Sequence, residues 1–371
     1  MTSTRSDSST ISNDLRPGVV VRVDRGVATV ELTPVQNEDQ LLADVGEPSG
    51  SSVSLGSLGT VRASWGGGLL TAVHDDPDAA PTTGDRVRLR FWPDERITVE
   101  SVEPRRTLLT RADADGSARR QTLAANVDVV AVVEGLVPDP DRNRIARLLA
   151  LAWASGAEPV VILTKADLEP EAARIAAELQ TLSACPVLPV SSASGDGLAP
   201  IAALFAGGRT VALLGPSGAG KSSLVNALSG DHVMRVNALR RDGKGRHTTV
   251  TRELHPVAGG YVIDGPGLRS VGINTAAGLD QTFADITELA QDCRFSDCGH
   301  SVEPGCAVIS AIENGDLDLE RFESYRALVA EGFRQEVRRD ARLRQEELRK
   351  HKIMHKALRR HYQKPPERGR W

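Results

Sequence analysis

Aromatic side chains are scarce in this sequence, 4% of its 371 residues, so its core must rest on Val, Leu, Ile and Ala. No apolar run approaches the roughly 18 residues needed to span a bilayer. Met1 to Pro17 lacks the apolar stretch of a secretory signal and reads as a polar, disordered leader, so a cytoplasmic protein is expected. No internal repeat is visible. Cysteine is limited to four residues. Three of them, Cys293, Cys298 and Cys306, fall within fourteen positions, which in a cytosolic chain points to metal before disulfide. What is present, 25% charged and 40% hydrophobic residues, fits a soluble globular protein with room for two or three domains.

The net charge of −4 hides an asymmetry. From Arg334 to Trp371 there are 14 Lys and Arg against 5 Asp and Glu. The other 333 residues hold 31 of the chain's 45 basic residues and 44 of its 49 acidic ones. A basic tail on an acidic body is either a nucleic-acid contact or a solvated, salt-bridged helix.

Three domains are expected behind the 1–17 leader. Residues 18–105 alternate apolar and polar positions in short runs, as half-buried strands do. The Gly-, Ser-, Pro- and Asp-rich stretches 37–68 and 75–84 between them read as loops. A small barrel of about five strands follows, OB-like or SH3-like. From 121 to 274 the pattern becomes α/β. Val127 to Val133 is an apolar run but for Asp128, suited to a buried parallel strand, and strands and helices then alternate up to Thr210–Leu214. Residues 279–371 read as helices around the Cys cluster, ending in a basic helix that Pro365-Pro366 stops.

Gly215-Pro-Ser-Gly-Ala-Gly-Lys221-Ser222 matches G-x-x-x-x-G-K-[ST] between an apolar strand and a helix, the context a phosphate-binding loop requires. Gly215, Ser217, Gly218, Ala219, Gly220, Ser222 and Ser223 would turn backbone N–H groups toward a phosphate at a helix N-terminus. Lys221 would reach the β- and γ-phosphates, and Ser222 would ligate Mg²⁺. Asp264, ending the strand Tyr261–Ile263, would hold Mg²⁺ through water, and the Gly267 N–H would meet the γ-phosphate. Thr164-Lys165-Ala166-Asp167 follows another strand. Asp167 can accept from guanine N1–H and N2–H₂ together, which adenine cannot supply, while Lys165 lies over base and ribose. At the next strand end comes Ser191-Ser192-Ala193, whose backbone N–H groups, Ser192 and Ala193 foremost, can reach guanine O6.

These elements come in the order 164, 191, 215, about 248, 264, whereas a Ras-like GTPase begins with the phosphate loop. The cycle is a circular permutation, which puts the segment after Gly267 directly before the C-terminal domain, so loss of γ-phosphate contacts could move that domain. Leu268 stands where Ras-like enzymes carry a water-orienting Gln. His247 could orient or deprotonate water instead, or be a solvent-exposed loop or RNA-contacting histidine. Thr248 or Thr249 would ligate Mg²⁺, with Thr249 preferred. Cys293, Cys298, His300 and Cys306 supply three thiolates and an imidazole, a closed structural Zn²⁺ set, with a disulfide or free thiols as alternatives. Cys185 reads as a buried core thiol. The barrel, metal module and tail each allow RNA binding, and Arg105, Arg106 and Arg111 could add phosphate contacts.

Permuted order, an N-terminal barrel and a C-terminal Cys/His module together resemble the ribosome biogenesis GTPase A family of small-subunit-dependent bacterial GTPases. Ala124-Ala-Asn-Val-Asp128 and Gly245-Arg-His-Thr-Thr249 are similar to its signatures, and the metal-ligand spacing matches it. Thr164 replaces the usual Asn, Gly265 and Pro216 replace commoner residues, and the serine-rich leader is additional. The resemblance implies a GTPase of late 30S maturation, stimulated by the small subunit, bound to 16S rRNA and acting without a membrane. A monomer is expected. The alternatives are another P-loop ATPase or kinase, a non-hydrolysing GTP switch on an RNA-binding scaffold, and a permuted GTPase of large-subunit assembly.

Overall fold

The computed structural model describes residues 15–24, 26–33, 59–112, 120–230, 252–264 and 277–340, with 342–345, 348, 349 and 352. The first unit is a closed five-stranded barrel. It comprises β1 (Arg16–Asp24), β2 (Val27–Leu32), β3 (Thr60–Trp65), β4 (Arg86–Phe91) and β5 (Ile97–Val102), in the order β1-β2-β3-β5-β4. β3 and β5 run parallel and the other neighbours antiparallel. Helix α1 (Gly67–Asp75) lies between β3 and β4. This is the OB-like option of the two barrels considered. Alternation fills the interior with Val20, Ala28, Val30, Ala63, Val87, Leu89 and Val99.

Two sequence expectations change here. Arg16 and Pro17 belong to β1 rather than to the leader. β3 and the start of α1 lie inside the stretch read as loop, where glycines and serines hid six alternating residues around Ala63.

A hairpin, β6 (Leu108–Ala112) with β7 (Arg120–Ala125), leads out of the barrel. Then comes a six-stranded sheet: β8 (Val129–Gly135), β9 (Glu158–Thr164), β10 (Val187–Pro189), β11 (Thr210–Leu214), β12 (Leu254–Val257) and β13 (Gly260–Asp264), ordered β10-β9-β8-β11-β13-β12. Only β12 runs antiparallel to its neighbour. All seven residues of β8 are buried because helices cover both faces. Val130 and Val132 face one core, and Val129, Ala131 and Val133 the other. The helices are α2 (Arg142–Ser155), α3 (Ala172–Ser183), α4 (Leu198–Ala203) and α5 (Lys221–Ser229). From β8 the chain runs outward to β9 and β10, and after β11 it lies on the other side, at the edge strand β12 and then back at β13 beside β11. The strand order therefore reverses between β8 and β11, the place where open α/β sheets bind ligands.

Helices α6 (Leu279–Thr282), α7 (Ala284–Gln291), α8 (Ala307–Asn314) and α9 (Leu319–Arg339) follow. α6 and α7 part at Phe283, which is fully buried, edge-on to Tyr325 at 5.4 Å and under the Arg321 guanidinium at 4.9 Å. One hydrophobic core contains Leu109 of the hairpin, Leu148 and Leu149 of α2, and Phe283, Val308, Phe322 and Leu328 of these helices. Arg321 also donates to Leu182 O at 2.9 Å, and Arg147 pairs with Glu331 at 2.7 Å. A side chain on Gly278 would stand 2.4 Å from Ala150 O. The C-terminal helices are thus built into the α/β core, which gives no support to the sequence expectation that they move with the nucleotide state. Among the described residues no helix is long and apolar enough to cross a membrane.

Candidate functional site

At the C-terminal end of β11 the chain passes so close to β8 that a Cβ on Gly215 would lie 2.1 Å from Val133 O. Only glycine fits there. Gly218 and Gly220 take left-handed φ angles of 86° and 87°, open to glycine at little cost. Gly220 caps α5 without a side-chain bond, so the first-turn N–H groups of Lys221, Ser222 and Ser223 keep their donors. Ser217 and Gly218 are exposed at the loop's apex, and Ala219 is buried. Lys221 is 8% exposed, and its Nζ donates to Gly215 O at 2.9 Å and Pro216 O at 2.8 Å. That aims the remaining ammonium donor from a fixed point. Burial pushes the Lys221 pKa down, and the charges of Asp264 and Glu134 oppose that shift. Asp264 ends β13 half-buried, its pKa raised by desolvation against the lowering effect of Lys221.

The loop after β9 lies beside it. Thr164 is 2% exposed, and its hydroxyl donates to Ala219 O of the phosphate loop at 2.5 Å, with Glu134 O at 3.3 Å. Lys165 adopts φ 63° and donates from Nζ to Val137 O at 2.8 Å. Asp167 sits exposed in a short 3-10 turn, Ala166–Leu168. Its desolvation therefore belongs to a complex, not to the free protein. After β10, Ser191 rather than Ser192 or Ala193 organises the loop. It is 1% exposed, and its Oγ accepts from Ala193 N at 3.2 Å and Ser194 N at 3.1 Å. Sequence reasoning included Ser191 with Ser192 and Ala193 but gave its hydroxyl no role of its own. It passed over Glu134, an acid at the end of an apolar run. Glu134 is 4% exposed and is gripped by Arg144 Nε at 2.9 Å and Nη2 at 2.7 Å, beneath both loops. Thr164, Ser191, Gly215 and Asp264 all stand at the same edge of one sheet. His247, Thr248, Thr249, Gly267 and Leu268 lie outside the described residues.

Cys293, Cys298, His300 and Cys306 bring their donor atoms within 4.8 Å of one another. His300 Nδ1 is 3.4 Å from Cys306 Sγ and 3.6 Å from Cys293 Sγ, and the two sulfurs are 3.9 Å apart. Tetrahedral ligands at about 2.3 Å from one ion stand roughly 3.8 Å apart. Glu303 shapes the loop that carries His300. It accepts from Ser301 N, Gly299 N and Val302 N, and those bonds, with Ser301 first, hold its carboxyl down to about 2.

This set of loops has relatives. A profile described as RsgA GTPase matches residues 102–274. A Streptomyces coelicolor protein named "Small ribosomal subunit biogenesis GTPase RsgA" is 46% identical over 339 residues, 90% of this chain and 84% of its own. The chain belongs to the RsgA GTPase family. A Streptomyces avermitilis protein of the same name is 47% identical over 292 residues, 76% of this chain and 78% of its own. Among solved structures, YjeQ from Thermotoga maritima superposes with a TM-score of 0.56 at 26% identity, covering 85% of this chain and 97% of that one. YloQ, described as a circularly permuted GTPase, does so at 0.57 and 25%, covering 88% and 97%. RsgA membership makes the chain a GTP-hydrolysing enzyme, and the permuted order is visible in it, since β9 and β10 with their loops precede β11 and the phosphate loop.

Arg105 does not offer the phosphate contact expected of it. Its guanidinium grips Asp85 at 2.8 and 2.9 Å and donates to Asp78 O and Ala80 O, with a side chain only 14% exposed. Arg106 pairs with Asp128, and Arg111 donates to Gln121.

Proposed function

We propose that this RsgA-family GTPase is cytoplasmic and acts on the small ribosomal subunit late in its assembly, docking in the GTP state and leaving after hydrolysis. The observation that carries the reading is the hydroxyl bridge from Thr164 to Ala219, which joins a base-reading loop to a phosphate loop at the sheet's switch point. Asp167 reads guanine N1–H and N2–H₂, with Lys165 against the base. The N–H of Ser192 is the donor for O6, while that of Ala193, named with it from the sequence, is taken up by Ser191 Oγ. The backbone of Gly215, Ser217, Gly218, Ala219 and Gly220, with Ser222 and Ser223, cradles the phosphates. Lys221 places its charge where negative charge gathers in phosphoryl transfer.

Magnesium would be held by Ser222 and Thr249, with Asp264 behind a water. When bound it neutralises charge on the β- and γ-phosphates. Gly267 donates to the γ-phosphate. His247 orients the attacking water, since Leu268 has no polar group with which to do so. Three thiols and an imidazole at the observed spacings suit a closed zinc site, which ties α7 to α8 and leaves no position for a substrate. The protein works as a monomer, with 16S rRNA as the surface that its barrel, metal module and basic tail meet.

The test is the GTP hydrolysis rate alone, with purified 30S subunits and with 50S subunits. Acceleration by 30S alone is expected. Acceleration by 50S alone would reassign the enzyme to the large subunit.

A further inference from the structure

Arg252 and Glu253 are where the chain re-enters the described structure after residue 230, and three other elements hold them. Thr83, 3% exposed in the turn before β4 of the barrel, donates from Oγ1 to Arg252 O at 3.2 Å. Arg252 Nη1 donates to Thr122 O of β7 at 3.3 Å. Glu253 forms an antiparallel bridge with Arg22 of β1, their side chains 3.8 Å apart. From there the chain enters β12, whose partner β13 ends in Asp264.

The Arg252 side chain is an expensive way to make such a joint. Its Nε is buried without a hydrogen-bond partner, and among the described residues it has no ion pair. Burial pulls its pKa down to about 10, with repulsion from Arg111 adding to the shift. A poorly paired buried cation costs stability, so an apolar residue would serve better if filling space were all that was required. What the arginine adds is a directional tie to the hairpin, on the residue whose carbonyl is tied to the barrel. Thr249 and His247 lie three and five residues upstream. Three residues of chain reach at most about 11 Å, so fixing position 252 limits where Thr249 can stand relative to the phosphate loop.

We infer that Arg252 is a positioning residue for hydrolysis, tying the exit of the His247–Thr249 segment to the barrel and hairpin. A load on the barrel then acts on turnover and not on nucleotide affinity. This rests on the catalytic reading proposed above for that segment.

The experiment measures kcat and KM for GTP, with and without 30S subunits, in the full-length protein and in Arg252→Met and Arg252→Lys. Misplacing reacting groups by about an ångström costs up to 10²-fold. Arg252→Met is therefore expected to lower kcat about tenfold in both conditions, with KM within about twofold. Arg252→Lys, whose amine can still donate to Thr122 O, should recover part of that loss. Thr83→Val removes the barrel's hydroxyl and should lower kcat in the same direction by less, which keeps the test open if Arg252→Met folds poorly. An unchanged kcat in Arg252→Met, or a loss of nucleotide binding that parallels the loss of rate, overturns the inference. A wild-type protein that 30S leaves unaccelerated overturns the ribosomal reading instead, and the unstimulated kcat still decides the case of Arg252.

Discussion

The nucleotide edge and the metal module are both built at the ends of regular elements, yet they use opposite materials. At the edge, most groups facing a ligand are backbone: glycines at 215, 218 and 220 and the first turn of α5. They are held by the buried strands beneath and by the Thr164 hydroxyl. In the module the donors are four side chains on the connection between α7 and α8, and that connection has little apolar material of its own. Val302 is 91% exposed and Phe295 41%. A backbone site on a sheet keeps its shape when one contact is lost. A side-chain site on a loop, once it holds an ion, would depend on every ligand and on that ion.

The largest expected effect tests that dependence. Structural zinc contributes on the order of 10 kcal/mol in small zinc domains. Cys306 is 4% exposed, and its sulfur also accepts from Ile309 N at 3.4 Å at the start of α8. Cys306→Ala should lose metal binding and unfold the connection between α7 and α8 well below the α/β sheet, as read by metal analysis and calorimetry. A single unfolding transition at the wild-type temperature would break the comparison. Next comes Lys221→Met. Removing one preorganised charge stabiliser typically costs 10²–10³ in rate. The variant should lose about that much turnover while its melting temperature without nucleotide barely falls, because the desolvation cost of the buried ammonium offsets its two bonds to the loop. A large loss of stability would show that this edge also leans on side chains.

Thr164→Val sharpens the comparison at smaller cost. The shape is kept, but Ala219 O loses its donor, and an unsatisfied buried group costs about 1–3 kcal/mol. Affinity for GDP and GTP should fall alike, by roughly tenfold, in equilibrium titration with a fluorescent nucleotide. A loss confined to GTP would mean that the tie serves the γ-phosphate side alone.

These regions also differ in how far the chain announces them. The phosphate loop, the base-reading loop and the Cys/His cluster were legible because their chemistry depends on residues close in sequence. The parallel sheet was legible because the apolar run Val129 to Val133 has few alternatives to burial on both faces. Contacts between distant residues were not. Arg105 looked available for phosphate because nothing near it in sequence announces Asp85 as its partner. β3 was hidden by the glycines and serines around it, and the β6–β7 hairpin falls across the boundary where barrel and α/β patterns meet. The Ser191 hydroxyl drew no separate role because a buried strand-end serine and an exposed loop serine look the same as letters.

The smallest effect concerns the fourth cysteine. Cys185 is 8% exposed, and burial pushes its thiol up to about 11 from 9.0. Near neutral pH that leaves about a hundredfold less thiolate than an ordinary cysteine has, and the thiolate is the reactive form. Because the folded pKa is raised, the folded state gives up this proton later than the unfolded chain does. Unfolding is therefore favoured progressively as pH climbs past 9. In alkylation at neutral pH, native protein should react little. Chelation should release three thiols quickly, from Cys293, Cys298 and Cys306, and leave Cys185 unmodified until denaturant is added. If four thiols react together on chelation, losing the ion has opened the α/β core as well, and the two regions are one cooperative unit despite their different construction.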